Sequence, residues 1–500
     1  MNSPALLHRV LDQSPCPDLD HYLERGGGRA LQSARKIQPE VIVDLITESG
    51  LRGRGGAGFP TGVKWRTVAE NHSGLEPSSV VINGAEGEPG TFKDRTLIRR
   101  NPYKILEGAL IAAHAVGSSE VIVCLKETFE AEIALMARAI FEVTEAGWAE
   151  PGAITIVLGP RSYLFGEETG LLEVINGRQP FPRVTPPYRR GIEEYGLGQN
   201  ASSDVELAAP GIGGSTPVLV NNVETLANVP AIVTGGSDAF RALGTKESPG
   251  TLLCTISGDT QIDGVAELEM GTTIGDAIQL IGHGPTSGRS IQALVSGVAN
   301  PILPTKYLQT PLTYEAMADI GSSLGAGGFM VFDDTANMVA VAQGIIAFLA
   351  IESCGQCQPC KADGLEMASL LDEMRINGGG ESATANLDRL AESVTNEARC
   401  YLAQQQQNVV RGLLAFFPAA LVERSSTGSP GLAGETGVDI PDPVLIAPIS
   451  DIAGGQAIVD AEQVRKNPDW SYQGEDSGSV PAERLAEVPV RIPVPDVDQP

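Results

Sequence analysis

Between Pro39 and Gly50 the apolar residues Val41, Ile42, Leu45 and Ile46 recur at helical spacing and glycine ends the run, which predicts a short amphipathic helix. From about Ser79 the period changes. Short runs rich in β-branched residues, Ser79–Ile82, Val121–Leu125 and Ile154–Leu158, alternate with helical stretches at Tyr103–Val116 and Phe129–Ala146. Strands separated by helices need crossover connections, so residues 41–245 are predicted to form an α/β domain with a largely parallel, Rossmann-like sheet. Residues 246–332 read differently: Thr251–Ser257, Gly264–Leu268 and Ile291–Val295 are strand-like around one helix, Thr273–Gly282, the pattern of a small β-grasp module. Residues 333–425 read as a helical bundle, broken by a cysteine cluster and by a loop at Asn377–Ser382.

The two ends differ from this body. Residues 1–40 read as a polar, partly helical lead-in. Residues 426–500 are rich in Pro, Gly, Asp and Glu with few aromatics, a composition that buries too little surface to offset its ordering entropy, so an acidic tail is expected. Its apolar segments Val444–Ile449 and Val488–Val494 can lie extended on a partner; a solvated tail fits the same composition. No repeat of solenoid period is present.

With 500 residues, 42% hydrophobic and 19% charged, the chain is long enough for roughly two to four domains with cores. The most apolar stretches, Met338–Ile351 and Gly412–Val422, are short and interrupted by Gln343 or Pro418, and no cationic N-terminus leads into an apolar run. A cytoplasmic protein without direct membrane insertion is expected. A net charge of −27 repels phosphate backbones and anionic bilayers, so nucleic acid is not an expected partner. Seven cysteines without a secretory leader point to reduced thiols available to metal rather than to a disulfide framework.

Three of those thiols, Cys354, Cys357 and Cys360, follow a C-x2-C-x2-C spacing in Glu352-Ser-Cys-Gly-Gln-Cys-Gln-Pro-Cys360, and Cys400 can supply a fourth from a later helix. Soft thiolates, three close together and one remote, suit a cubane iron–sulfur cluster. A structural zinc is the alternative, although such sites usually take their ligands as two separated pairs. Cys16, Cys124 and Cys254 have no partner at ligand spacing and are expected as ordinary buried residues.

Four loops carry the remaining chemistry. In Leu51-Arg-Gly-Arg-Gly-Gly-Ala-Gly-Phe-Pro60, the spacing Gly53-x-Gly55-x-x-Gly58 is a weak dinucleotide fingerprint, because it follows a helix rather than a strand. Its glycines, Gly56 included, still let backbone approach a flat or phosphorylated ligand, with Arg52, Arg54 and Lys64 adding positive charge. In Ile82–Arg95, Asn83 offers a donor and an acceptor to a heterocycle, and Glu86 and Glu88 can take ribose hydroxyls; a solvated turn is the plain alternative. Gly159–Thr169 and Val220–Thr225 also follow strands, so all four loops can meet at one sheet edge.

These residues resemble the flavoprotein, NADH-binding subunit of respiratory complex I and its relatives in NAD-linked hydrogenases and formate dehydrogenases. The likeness runs from about residue 40 to 415. It rests on R-G-R-G-G-A-G-F-P-T-G at 52–62, E-P-G-T-F-K-D-R at 88–95, G-E-E-T at 166–169, N-N-V-E-T-L-A at 221–227, an SLBB-type β-grasp, and E-S-C-G-x-C-x-P-C at 352–360. It implies FMN cradled by Gly53, Gly55, Lys64, Asn83, Gly166, Asn221, Asn222 and Thr225. It places NADH near Gly56, Ala57 and Phe59, with Glu88, Glu167, Glu168 and Tyr188 in contact, and one [4Fe–4S] cluster on Cys354, Cys357, Cys360 and Cys400.

The activity so implied is oxidation of NADH, or reduction of NAD+, on FMN, with single electrons passing through the cluster to at least one further redox subunit. A thioredoxin-like 2Fe–2S protein is one candidate for that partner, and the cytoplasmic face of a membrane complex one location. The chain also departs from the family. Ala85 stands where an acid usually meets the flavin edge, Thr185 where a lysine lies near the nucleotide, and Arg399–Gln407 replaces the usual small-residue and glycine context around the fourth cysteine. Two alternatives stay open: a flavin and iron–sulfur subunit using a donor or acceptor other than NAD(H), and a non-catalytic iron–sulfur scaffold.

Overall fold

The computed structural model describes residues 5–71, 78–184, 187–188, 191, 217–422, 440–461 and 491–492. Thr185 lies outside them.

Strands β1 (Ser78–Asn83), β2 (Ser118–Lys126), β3 (Ile154–Gly159) and β4 (Val218–Asn222) form a parallel sheet in the order β3-β2-β1-β4. Val80, Val81 and Ile82 on β1 are all fully buried, because both faces of the sheet are covered. Val80, Ile82, Val121 and Val123 point to helices Pro102–Val116 and Val223–Arg241, whereas Val81, Ile122, Cys124 and Val157 meet Phe165 and helix Glu168–Ile175. The period of two along each strand thus divides its side chains between two apolar layers. Helices Pro102–Val116 and Val223–Arg241 come close at Gly108, where a β-carbon would stand 2.0 Å from the Leu226 carbonyl oxygen.

The N-terminal segment is not a polar lead-in. Helices Leu19–Glu24 and Arg29–Ala34 bury Leu19, Tyr22, Ala30, Leu31 and Ala34 in the same core as β1. The buried Glu107 carboxylate accepts from Tyr22 Oη at 2.6 Å and from the Gly28 and Leu31 N–H groups at 3.0 Å, pinning the segment to helix Pro102–Val116.

A second sheet holds β5 (Thr251–Gly258), β6 (Gly264–Glu269), β7 (Ile291–Ser296), β8 (Leu303–Pro304) and β9 (Gly328–Asp333), in the order β6-β5-β9-β7-β8. Only β5 and β9 run parallel. Helix Ile274–Gly282 covers one face with Ile274, Ala277, Ile278 and Ile281. The fully buried β9 at the centre was not anticipated from the sequence. Helices Met338–Glu352, Gln358–Asn377, Glu381–Ser393 and Leu402–Phe416 follow, packed around one core with Val295 and Met330 of the second sheet.

Parts of the tail fold back on the chain. Ile446, Ala447 and Ile449 are buried, and Gly344 leaves room for the Val444 carbonyl, 2.3 Å from where a β-carbon would sit. A hairpin of β10 (Ile449–Ala453) and β11 (Gln456–Val459) follows, its Ala457 N–H donating to Asp263 Oδ2 at 2.5 Å. On the other side, Arg95 donates to the Ser450 carbonyl at 3.0 Å and Arg99 pairs with Asp451 at 2.8 Å. Strand β12 (Arg491–Ile492) pairs antiparallel with β3 at Val157 and Ile156. The described parts of the segments expected either to lie on a partner or to stay in solvent, residues 444–449 and 491–492, therefore lie on their own chain.

Candidate functional site

The order β3-β2-β1-β4 sends the chain from β1 to β2 on one side and places β4 on the other. That reversal opens a crevice at the carboxyl ends of β1 and β4, the usual ligand position in a parallel sheet. Asn83 ends β1, Asn222 ends β4, and the two stand in register. Asn83 Nδ2 donates to the Gly166 carbonyl at 2.9 Å while its Oδ1 accepts from the Ala85 N–H at 3.1 Å, which binds the second and third loops together. Asn222 caps helix Val223–Arg241 by accepting from the Glu224 N–H at 3.0 Å. Asn221 accepts from Trp65 Nε1 at 2.8 Å, and Thr225 Oγ1 accepts from the Arg54 N–H at 2.9 Å, which ties the glycine loop to this edge.

The loop closes on itself through Gly53 N–H to the Phe59 carbonyl at 2.8 Å and Arg52 Nε to the Gly58 carbonyl at 2.7 Å. Gly58 adopts a φ of +62° against the Tyr314 ring, which a β-carbon would approach to 2.3 Å. The two loop arginines do not line the crevice as expected. Arg54 is buried, donating to Tyr314 Oη at 2.8 Å and to the Pro249 carbonyl at 3.3 Å; Arg52 stacks 3.9 Å above Tyr314 and pairs with Glu315 at 3.1 Å. Lys64 supplies the local charge instead, donating to the Val220 carbonyl at 2.8 Å and pairing with Glu168. Gly55, Ala57 and Phe59 are exposed on the loop's free surface, with Gly56 half-buried beside them.

The acidic residues have different surroundings. The Glu88 carboxylate accepts from Tyr163 Oη at 2.6 Å and from the Val298 N–H at 2.7 Å, and burial raises its pKa despite both bonds. Glu167 caps helix Glu168–Ile175, accepting from the Thr169 and Gly170 N–H groups at 2.9 and 2.7 Å; burial raises it as well. Glu86, read from sequence as a ribose ligand, is buried against Arg95 at 3.0 Å. Glu168 alone of the four meets a cation at the crevice. Tyr188 is half-buried against the core of the first sheet.

Beneath the crevice lies a buried charge group that sequence reasoning missed. Lys93 Nζ stands 2.6 Å from Asp94 and 2.8 Å from Glu224, and Asn222 Nδ2 donates to Asp94 at 2.7 Å. Glu224 also accepts from the Leu253 N–H of β5 at 2.8 Å, linking the site to the second sheet. Burial pushes Asp94 up to about 6, against the pull of Lys93 and with a further push from Glu86. Only the K-D and V-E pairs inside the quoted motifs signalled it, and nothing local joined them.

The thiols assemble where two helices meet. Helix Met338–Glu352 stops at Ser353 and helix Gln358–Asn377 starts after Cys357 with Pro359 in its first turn, so the link is a tight loop with Gly355 at φ +87°. Cys400 precedes helix Leu402–Phe416. Cys354, Cys357, Cys360 and Cys400 line one space together with Leu164, Pro182 and Leu402. The N-termini of both later helices open onto it and favour negative charge there. Tyr163 reaches this side too. Its N–H donates to Glu352 at 2.9 Å, its ring meets Phe348 edge-on, and its hydroxyl receives a bond from Gln405 Nε2 at 3.2 Å, so one residue touches both the loop of Glu88 and the thiol-bearing helices.

Burial raises the Cys354 thiol; burial, then Cys354 and Cys357, push Cys360 up to about 12; burial and Cys354 hold Cys400 well above the usual thiol range. Such crowded thiols ionise onto a cationic centre rather than into water. Among the described residues no three Cys, His, Asp or Glu side chains stand close enough to hold a single ion. Four soft thiolates as the donor set suit an iron–sulfur cluster. The crevice suits a flavin in its chemistry, with the Lys64 cation at the Val220 carbonyl and glycine backbone exposed at Gly55. A β-carbon at Gly55 would press to 3.3 Å of Asn222 and one at Gly166 to 3.0 Å of the Ala85 carbonyl, so glycine lets these loops pack closely.

Comparison with known proteins shows the family of the chain. The family described as the Nuo51 FMN-binding domain matches residues 46–231, and the NADH-ubiquinone oxidoreductase-F iron-sulfur binding region matches residues 340–424. An NADH-quinone oxidoreductase F subunit of Rhizobium meliloti is 35% identical over 84% of this chain and 97% of that relative. The NADP-reducing hydrogenase subunit HndC of Solidesulfovibrio fructosivorans is 30% identical over 80% of this chain and 79% of its own length. A crystal structure of an NAD+-reducing [NiFe]-hydrogenase in the H2-reduced state superposes with a TM-score of 0.69 at 33% identity. It covers 82% of this chain, which spans 66% of that one.

Proposed function

Because the chain belongs to the family of F subunits of NADH-quinone oxidoreductase and their hydrogenase relatives, we propose that the β1/β4 crevice orients a nicotinamide nucleotide against FMN and that the four-cysteine site carries the electrons onward. The chain is an oxidoreductase subunit that oxidises NADH through FMN and a [4Fe–4S] cluster and passes electrons to other redox subunits. When bound, FMN supplies hydride acceptance and one-electron release, and the cluster supplies one-electron carriage. The protein's part is positioning and electrostatics.

In this reading Gly53, Gly55, Gly166, Asn83, Asn221, Asn222 and Thr225 frame the flavin, and the Lys64 ammonium neutralises its phosphate. Gly56, Ala57 and Phe59 offer the exposed surface on which the nucleotide rests, and Glu168 takes a ribose hydroxyl. Glu88 and Glu167, whose carboxylates are engaged by Tyr163, Val298 and the Thr169–Gly170 backbone, shape the pocket through those bonds. Tyr188 is the ring assigned to stack on the nucleotide. Cys354, Cys357, Cys360 and Cys400 hold the cluster. The observation that carries the reading is Tyr163, which bonds Glu88 at the crevice and Gln405 beside the thiols, so the two centres share one wall.

The second sheet with helix Ile274–Gly282 on its face is read as an SLBB-type β-grasp and the four later helices as the cluster-bearing bundle. The partner is read as a further iron–sulfur subunit, a thioredoxin-like 2Fe–2S protein being the first to test, at the cytoplasmic face of a membrane complex. Among the described residues no helix is long and apolar enough to cross a membrane. Absorption spectra of anaerobically purified chain before and after NADH test the reading: flavin bands should bleach promptly. Flavin that ignores NADH would favour another donor, which Ala85 at the flavin edge makes a specific concern. A lone iron–sulfur shoulder would leave only a scaffold.

A further inference from the structure

Residues 404–407 are four consecutive glutamines in the first turns of helix Leu402–Phe416, where the family resemblance leads to small residues. Three of them have other roles. Gln404 donates to Gln407 Oε1 at 2.8 Å and to Asn408 at 3.0 Å, Gln405 meets the Tyr163 hydroxyl, and Gln407 donates to the Ala391 carbonyl at 2.6 Å. Gln406 is fully buried and faces the thiols. Its Nε2 donates to the Cys360 carbonyl at 3.0 Å and lies 3.4 Å from Cys360 Sγ.

A carbonyl oxygen only accepts, so the Cys360 backbone fixes the orientation of this amide and directs its N–H groups toward the sulfur. The Gln406 Oε1 is left buried without a hydrogen-bond partner. It points at Gly364, where a β-carbon would stand 2.1 Å away. An unsatisfied buried oxygen destabilises the fold, and methionine or leucine would avoid it, so packing does not account for an amide here. A second, weaker donor stands across the site. Gln356 Nε2 lies 3.4 Å from Cys354 Sγ, its Oε1 accepts from Arg399 at 3.2 Å, and the same Nε2 also donates to the Pro182 carbonyl at 3.0 Å.

We propose that Gln406 is a positioning residue that raises the reduction potential of the cluster through an N–H···S bond to Cys360. The inference rests on the four-cysteine [4Fe–4S] reading. Reduction adds negative charge that spreads onto the cluster sulfurs, and a fixed N–H donor stabilises that state more than the oxidised one. The residue thereby makes the cluster a readier acceptor of electrons arriving from the crevice.

The test is a potentiometric reduction of the full-length, cluster-loaded chain followed by electron paramagnetic resonance, with iron and sulfide assayed per chain. Q406M keeps the volume and removes the donor. It should hold the wild-type iron and sulfide content, with the ratio of reduced to oxidised cluster at fixed potential falling about tenfold, about 59 mV for one electron. Q406E replaces the donor by an acceptor and should fall further, and Q356M should fall less. A full cluster at unchanged potential in Q406M would overturn the proposal. So would loss of the cluster from both Q406M and Q406A, which would make the amide a tether of the Cys360 backbone. A wild-type chain without a four-iron signal would instead overturn the cysteine assignment itself.

Discussion

Lys64 is the cation retained at the crevice, and its pairing with Glu168 sets up a single-residue expectation. Glu168→Gln keeps the shape and removes the charge, so the KM for NADH should rise about tenfold, a loss near 1.4 kcal/mol, while flavin content per chain holds. Equal loss of both would mean that the loop is structural. Asp94 carries a pH dependence with a definite sign. Its folded pKa, raised by burial to about 6, lies above the unfolded value, so it stabilises the fold fully below about pH 4 and loses that contribution as pH rises through about 6. Asp94→Asn is neutral throughout. Thermal melts from pH 4 to 6.5 should therefore move against the wild type relative to D94N, by about 3 kcal/mol at most; parallel curves would show that Asp94 titrates normally.

Helices Pro102–Val116 and Val223–Arg241 are held at a distance set by one missing side chain. Gly108→Ala would place its β-carbon 2.0 Å from the Leu226 carbonyl oxygen, which is backbone and cannot turn away. The helix must shift, and with it the N-terminal end of Val223–Arg241 that presents Asn222 and Thr225. Urea unfolding should show a loss of about 3 kcal/mol, and flavin retention should fall with it; an unchanged midpoint would mean that the crossing relaxes freely. Elements of this kind were partly legible. The β-branched runs of β1, β2 and β3 and the spacing of Cys354, Cys357 and Cys360 are local signals, and all of them appear in the structure. Strand β9 was hidden because it follows a glycine-rich stretch, Gly321–Gly327, and reads as the end of a connection. The bond from Asn222 to Asp94 joins residues 128 apart, and the expected roles of Arg52 and Arg54 failed because Tyr314, more than 250 residues on, attracts both. Short-range pattern cannot report such pairings.

At the scale of the whole molecule, the tail joins units that its composition gave no reason to connect. Ile446 is 3% exposed in the core of the four later helices, while the hairpin after it reaches Asp263 near the second sheet and Arg95 and Arg99 beside the first. Replacing a buried isoleucine by a small residue costs about 2–5 kcal/mol, and the truncated chain loses Ala447, Ile449 and the arginine contacts besides. A chain ending at Val422 should melt well below the full-length protein. A chain ending at residue 461 keeps the hairpin and, among the described residues, loses only β12, which covers the edge of β3. It should retain the full-length melting temperature yet self-associate, since an uncovered strand edge offers unpaired N–H and C=O groups to a neighbour. Differential scanning calorimetry and size-exclusion chromatography separate the two outcomes. If the chain ending at Val422 melts with the full-length protein, the hairpin rides on the surface without holding it. If the chain ending at 461 stays monomeric, the β3 edge needs no cover, and the pairing of Arg491–Ile492 contributes nothing to solubility.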